Sequence, residues 1–145
     1  MVDGDNLSLI LSRLNRVLEL EPKLVFFMAG INDLCISIPL DEVFENYYWI
    51  IQNLRRRNIA VVIQSTFSCS VSVCGDRNLM VEELNMRLRD YAVSEQLVYV
   101  DINNVIADEG GLRTEVTYDG IHLNGLGYRL WVEVLTPVIS ELADD

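Results

Sequence analysis

The only histidine of the chain, His122, follows Asp119 by three positions in the segment TYDGIHLNGLGY (117–128). A carboxylate that accepts a hydrogen bond from Nδ1–H fixes the tautomer of an imidazole and leaves Nε2 free as a general base. Asp-x-x-His is also the pattern of a capped loop with an incidental histidine, and for an isolated motif that interpretation is the more common one. The pair therefore needs support from other groups before it indicates catalysis.

Two more groups of polar residues could serve the same chemistry. Asn32 lies in the segment GIND (30–33), directly after an apolar run, and an asparagine amide can donate to an oxyanion. The same residue types are also ordinary turn and cap formers. Ser65, Thr66 and Ser68 follow the next apolar run. Such a serine usually bonds within its own loop, because attack on a substrate requires an exposed turn and an aligned base.

These side chains have to be positioned by the elements around them, and the apolar pattern predicts helices that alternate with strands. Four segments carry apolar residues at helical spacing, and three continuous apolar runs have the length of buried strands. The predicted order is a helix capped by Asp5 or Asn6 and ended by Pro22, a strand within 23–30, a helix from Asp41, a strand within 59–66, a helix with Met80, Leu84, Leu88 and Tyr91 inward, a strand within 97–102, and a final helix capped by Asn124.

Strands that alternate with helices predict an α/β fold with a parallel sheet covered on both faces. The length of 145 residues suits one domain, which we assign to residues 1–145. Segment 67–79 is predicted to be the longest loop. In open α/β sheets, ligands bind outside the carboxyl ends of the strands, so we expect the three polar groups at one edge of the sheet.

The charge and the cysteine content limit which classes of partner and which cellular compartment we expect. With 22 acidic against 11 basic residues, the formal charge of −11 disfavours binding to nucleic acid or to an anionic membrane surface. Cys35, Cys69 and Cys74 form an odd set without metal-ligand spacing, so we expect free thiols, no disulfide and no bound metal. The first residues show no secretory signal, and these features together predict a cytoplasmic protein.

In combination, three short stretches resemble the SGNH (GDSL-type) hydrolase family. FFMAGINDL is similar to the family's third block, YDGIHLNGLGY to its fifth, and VDGDN to the end of its second. The resemblance covers essentially the whole chain. The stretches ENYYWIIQNLR and ELNMRLRDYA also resemble the branch related to platelet-activating-factor acetylhydrolases.

The resemblance implies a three-layer α/β/α, flavodoxin-like parallel sheet and a site without a metal or an organic cofactor. His122 would be the general base and Asp119 its orienting carboxylate. Asn32 and the backbone N–H of Gly4 would bind the oxyanion. Asn124 and Gly127 would have structural roles, the first as a helix cap and the second as a point of close packing.

One part of the family pattern is absent from this sequence. The family's nucleophile lies in a first block, GDS, and no GDS occurs in the 145 residues. Ser65 and Ser68 are weak substitutes. The chain is then a truncated form of a complete hydrolase, a non-catalytic domain, or a partner for a polypeptide that brings the serine. Without the family's N-terminal strand, an apolar sheet edge would be exposed, through which the chain could form an oligomer.

The function implied by the resemblance is hydrolysis of a small-molecule carboxylic ester with a short acyl group, such as acetyl. Two alternatives remain open at this point. One is a binding or scaffold module that keeps the fold without chemistry, and the other is an acyltransferase of the same fold.

Overall fold

The structure is a computed structural model, and it describes residues 4–143. Helices and strands alternate along most of the chain, as the sequence predicts. In order, the elements are α1 (Leu7–Glu19), β1 (Leu24–Phe27), α2 (Ile31–Cys35), α3 (Leu40–Arg56), β2 (Ala60–Gln64), α4 (Val71–Cys74), α5 (Arg77–Ser94), β3 (Val98–Val100), α6 (Asn103–Ile106), β4 (Ala107–Asp108), β5 (Gly111–Leu112), a 3-10 helix (Thr114–Val116) and α7 (Gly125–Ala143).

The main sheet contains three parallel strands in the order β1-β2-β3. Leu24 is paired with Ala60 in the first ladder, and Val62 with Val98 in the second. β4 and β5 form a separate antiparallel hairpin in the region between β3 and α7. Because β1 pairs only with β2, one edge of β1 has no strand beside it among residues 4–143.

Helices cover both faces of the sheet, which confirms the predicted three-layer α/β/α fold. Successive side chains of a strand point to opposite faces. Val25, Phe27, Val61 and Ile63 accordingly pack with α1, α3 and α5, whereas Phe26 and Val62 pack with α6 and α7. Both cores are built from aliphatic and aromatic side chains, as expected for strands that are solid apolar runs.

Polar caps fix where the first and last long helices begin. The Asn6 side chain accepts the Leu9 N–H at 2.9 Å, so Asn6 rather than Asp5 caps α1. Asn124 Oδ1 accepts the Leu126 N–H at 2.9 Å, which confirms the predicted cap of α7. A Cβ on Gly127 would lie 2.7 Å from the Val116 carbonyl oxygen, so close packing requires glycine there.

β1 departs from the prediction of a strand buried on both faces. Leu24, Val25 and Phe26 are only partly buried, and Phe27 alone is fully buried. The reason is the unpaired edge, because an edge strand is covered by side chains on its faces but by no backbone on its outer side. The strand is also shorter than the apolar run 23–30, since Ala29 and Gly30 already belong to the turn into α2.

The prediction of a long loop over 67–79 is wrong in its second half. Residues Val71–Cys74 form α4, and α5 begins at Arg77. The prediction of three free thiols is also wrong, because the structure joins Cys69 to Cys74 in a disulfide with a Cα–Cα distance of 6.0 Å. The turn of α4 brings together two cysteines that have four residues between them, a geometry that spacing alone did not reveal. Cys35 is a free thiol.

Within residues 4–143, no helix combines the length and the apolar character needed to cross a bilayer.

Candidate active site

Asp119 and His122 form the predicted pair. His122 Nδ1 lies 2.7 Å from Asp119 Oδ2. The other carboxylate oxygen, Oδ1, accepts the backbone N–H groups of Ile121 at 2.9 Å and His122 at 2.8 Å. The Thr117 hydroxyl donates to the His122 carbonyl at 2.6 Å and closes the turn from the other side. The backbone therefore occupies Oδ1 and leaves Oδ2 directed at the imidazole.

The electrostatics of the turn fix the tautomer of His122. The hydrogen bond from the imidazole, followed by those from the backbone N–H groups of His122 and Ile121, holds the pKa of Asp119 well below its usual range. An ionised carboxylate can only accept hydrogen bonds, so Nδ1 carries a proton, and in the neutral form of the imidazole the lone pair is on Nε2. His122 is 67% exposed and Asp119 is 48% exposed, so the imidazole can reach a ligand.

Asn32 and Gly4 are brought to the same place by two contacts between the turn after β1 and the segment before α1. Asn32 Nδ2 donates to the Asp5 carbonyl at 2.8 Å, which leaves its second N–H for a ligand. Both oxygens of the Asp33 carboxylate accept the Leu7 N–H, at 3.0 and 3.1 Å. The turn itself depends on Gly30, whose φ of +101° lies in the left-handed region that glycine adopts without strain.

A cavity of about 580 Å³ joins these residues, and we refer to it as the candidate cavity. Gly4, Asn32 and His122 all border it, so the structure brings the imidazole to the same cavity as the two residues that were expected to bind an oxyanion. The candidate cavity also extends along β1, where Phe26 and Phe27 border it. It therefore reaches from the imidazole to the carboxyl end of β1, whose outer edge has no strand beside it among residues 4–143.

The serines and the threonine after β2 have different environments. Ser65 is fully buried, and its hydroxyl oxygen accepts the Ile102 N–H at 2.9 Å. Thr66 is also fully buried and donates to the Ala29 carbonyl at 2.6 Å. Ser65 and Thr66 are thus internal braces that do not border the candidate cavity. Ser68 differs, because it borders the candidate cavity and is held through its backbone N–H by Asn103 Oδ1 at 3.0 Å.

A buried polar network supports the turn after β1 from behind. The Tyr47 hydroxyl accepts the Ala29 N–H at 2.7 Å and lies 2.8 Å from the Ala29 carbonyl oxygen. Asn85 binds both backbone groups of Thr66, at 2.7 and 2.9 Å. Burial raises the pKa of Tyr47, so its hydroxyl stays protonated at neutral pH. The ends of β1 and β2 are therefore locked next to the residues that border the cavity.

Sequence reasoning missed several residues of the site. Asp33 is 1% exposed, and burial raises its pKa against the lowering effect of the Leu7 N–H. Trp131 borders the candidate cavity and donates from Nε1 to the buried Gln64 side chain at 2.7 Å, with the Tyr128 ring stacked on it. Gln64 was the signal in the sequence for this contact, because it is a polar residue in the otherwise apolar run IAVVIQ. A buried polar side chain needs a hydrogen-bond partner.

The chain matches one described family and resembles longer curated proteins. The GDSL-like Lipase/Acylhydrolase family matches residues 2–130. N-acylneuraminate cytidylyltransferase of Streptococcus agalactiae serotype V is 25% identical over 123 residues, which cover 82% of this chain and 29% of that protein. The chain therefore spans less than a third of the length of the curated relatives that it matches.

Solved structures share the fold. A GDSL-like lipase from Bacteroides thetaiotaomicron superposes with a TM-score of 0.90 at 23% identity, and the match covers 96% of this chain and 73% of that one. An acetylxylan esterase, Axe2 from Geobacillus stearothermophilus, solved as a catalytic mutant, superposes with a TM-score of 0.78 at 14% identity, covering 92% and 67% of the two chains. At these identities the likeness concerns the fold alone.

Proposed function

The chain belongs to the GDSL-like lipase/acylhydrolase family, and from this premise we propose that its site hydrolyses a small carboxylic ester with a short acyl group. The observation that carries the proposal is the arrangement around the candidate cavity. An imidazole with Nδ1 held 2.7 Å from a carboxylate oxygen borders the same space as Asn32 and Gly4. These are the groups that acyl transfer to and from a serine requires.

Each group has a role in the proposed reaction. As a serine hydroxyl attacks the ester carbonyl, Nε2 of His122 takes the hydroxyl proton and then gives it to the departing alcohol. Asp119 holds the imidazole and stabilises the imidazolium that forms. The free N–H of the Asn32 amide and the N–H of Gly4 donate to the oxyanion. Water then attacks the acyl-serine while Nε2 of His122 takes its proton, and the same proton goes to the serine oxygen as the bond to the acyl group breaks and the carboxylic acid leaves.

The nucleophile needs a separate argument, because Ser68 is the one serine among residues 4–143 that borders the candidate cavity. Ser65 and Thr66 are buried and bonded to the backbone. We place the nucleophile on a β-strand that pairs with the outer edge of β1, which is free among residues 4–143, since the candidate cavity reaches from the carboxyl end of β1 to His122. That strand belongs to a longer form of this protein or to a partner polypeptide. Ser68, which borders the cavity, is the alternative that an experiment has to exclude.

The relatives' names guide the choice of substrate only in part. An acetylxylan esterase shares the fold, which supports an acetyl ester as the first substrate to test. The cytidylyltransferase name is not carried over, because the match spans 29% of that protein. A cytoplasmic location stays a prediction, and the Cys69–Cys74 disulfide weakens it, since disulfides are rare in reducing compartments.

The test compares p-nitrophenyl acetate hydrolysis by the 145-residue chain and by a version extended upstream through an in-frame GDS segment. We expect weak turnover by the chain alone and ordinary enzyme rates for the extended protein, with loss of activity on His122→Ala. Fast turnover by the chain alone that Ser68→Ala abolishes would place the nucleophile within these residues. An extended protein that folds and stays inactive would favour the scaffold alternative, whereas ester formation with an added alcohol would favour an acyltransferase.

A further inference from the structure

The segment between Cys69 and Cys74 lies directly against the turn that carries the proposed catalytic pair. The Ser70 N–H donates to the Gly120 carbonyl at 2.8 Å. A Cβ on Gly120 would lie 2.8 Å from Val73 Cγ2 and 3.0 Å from Ser70 Cβ, so the two segments are in tight contact. Gly120 directly follows Asp119, and the position of its backbone therefore affects how the carboxylate meets the imidazole.

Several contacts fix the first half of this segment. Asn78 binds both backbone groups of Cys69, accepting its N–H at 3.1 Å and donating to its carbonyl at 2.6 Å. The Ser70 hydroxyl donates to the Leu112 carbonyl at 3.1 Å, and the Val71 N–H donates to the Gly110 carbonyl at 3.0 Å. The Cys69 end is thus anchored to α5 and to the β4–β5 hairpin.

The disulfide closes the second half, where the Val73 and Cys74 N–H groups also donate to the Ser70 carbonyl at 2.9 and 3.0 Å. Residues Val71–Cys74 form a single helical turn, which is far shorter than a helix that is stable on its own. The disulfide joins Cys74 to the anchored Cys69 and so closes this turn. Val73, which contacts Gly120, lies inside the closed segment.

We infer that the Cys69–Cys74 disulfide is a positioning element of the candidate active site, because it closes the segment that packs against Gly120 and thereby orients His122. Cys69 borders the candidate cavity and is 1% exposed, and Cys74 is 7% exposed. In thiol exchange the S–S bond breaks, both cysteines become thiols, and an added dithiol, which supplies the two electrons and two protons, becomes a disulfide. The orientation of His122 then depends on the redox state of this pair.

The single histidine makes the inference measurable on the 145-residue chain. We would record the imidazole ¹⁵N shifts of labelled protein at pH 8, where a free imidazole is neutral. In the oxidised chain we expect Nδ1 to carry the proton. After reduction with dithiothreitol we expect a shift towards the tautomer mixture of free histidine, with sheet amide resonances unchanged. The Cys35→Ser variant should behave in the same way, since Cys35 lies outside the disulfide.

A pair of glycine variants tests the contact at Gly120 while the disulfide stays intact. Gly120→Ala and Gly75→Ala both place a side chain at a positive φ, of +82° and +53°, but only Gly120 has neighbours within 4 Å of the new Cβ. We expect Gly120→Ala to change the tautomer in the oxidised chain and Gly75→Ala to leave it unchanged.

Three results would overturn the inference: three free thiols in the air-oxidised protein, imidazole shifts that do not respond to verified reduction, or equal effects of the two glycine variants. The inference rests on the role proposed for His122. Its readout is the imidazole and not esterase activity, so a failure here is distinct from a failure of the proposed function.

Discussion

At the scale of single residues, the orientation of His122 follows from how Asp119 divides its two oxygens. Oδ1 is taken by two backbone N–H groups, and Oδ2 is left for Nδ1 of the imidazole. These hydrogen bonds lower the pKa of Asp119, so the folded chain binds this proton more weakly than the unfolded chain does. The contribution of Asp119 to folding is therefore present above the ordinary pKa of 3.8 and is lost as the pH falls through the lowered value.

We predict that Asp119→Asn inactivates the extended protein while leaving its fold intact. The amide NH₂ would face Nδ1 and favour the tautomer with the proton on Nε2, which cannot act as a base. In triad enzymes this change costs a factor of about 10⁴ in kcat. The measurement is kcat for p-nitrophenyl acetate, with Asp90→Asn on the exposed side of α5 as the control. An Asp119→Asn enzyme within tenfold of the parent would remove Asp119 from the mechanism.

At the scale of elements, Asp33 connects the turn after β1 to the start of α1. Its buried carboxylate accepts the N–H of Leu7, a residue that is itself fully buried. Burial raises the pKa of Asp33, so the folded chain holds this proton more tightly than the unfolded chain. The contribution of Asp33 to stability therefore falls as the pH rises above 3.8. This pH dependence is opposite in sign to that of the contribution of Asp119.

We predict that Asp33→Ala lowers the free energy of unfolding by about 1–3 kcal/mol, because the buried Leu7 N–H loses its acceptor. Asp33→Asn keeps one acceptor oxygen and should cost less. The parent loses the contribution of Asp33 as the pH rises, whereas the asparagine carries no proton that titrates. The loss in free energy of unfolding caused by Asp33→Asn should therefore be smaller at pH 7 than at pH 4. Urea unfolding at the two pH values measures this, and a cost that grows with pH would contradict the raised pKa.

Much of the element order could be predicted, because it depends on local patterns. The apolar spacing of α1 and the polar caps Asn6 and Asn124 are read within a few residues of the chain. The bond from Asp33 to Leu7 spans 26 positions, and the disulfide depends on α4 forming, so neither was visible locally. For the site, the Asp119–His122 pair was predicted from its spacing together with the family resemblance, whereas the contact between Trp131 and Gln64 requires the tertiary fold.

At the scale of the whole molecule, the outer edge of β1, which has no strand beside it among residues 4–143, offers backbone groups for association. The Ala60 N–H donates to the Lys23 carbonyl at 3.0 Å, so the backbone groups of Lys23 and Val25 face β2. Because the direction alternates along a strand, the N–H groups of Leu24 and Phe26 face the unpaired edge. Such a row of groups can pair with an added strand or with a second copy of the chain.

We predict that Leu24→Pro leaves the chain folded but abolishes association at this edge. Proline removes an N–H that faces outward and is tolerated at the start of an edge strand. Val25→Pro is the matched control, because it removes an N–H that bonds to β2 and should destabilise the sheet. Sedimentation at increasing concentration should show self-association of the parent and a monomeric Leu24→Pro variant. Equal association of both would place the contact elsewhere.

The most direct test of the account is to identify the serine that reacts with a fluorophosphonate ester in the extended protein. We predict a single labelled serine, located by mass spectrometry in the segment that pairs with β1, and no labelling after His122→Ala. The 145-residue chain alone should stay unlabelled. Labelling of Ser68, or labelling that persists without His122, would contradict the proposed site.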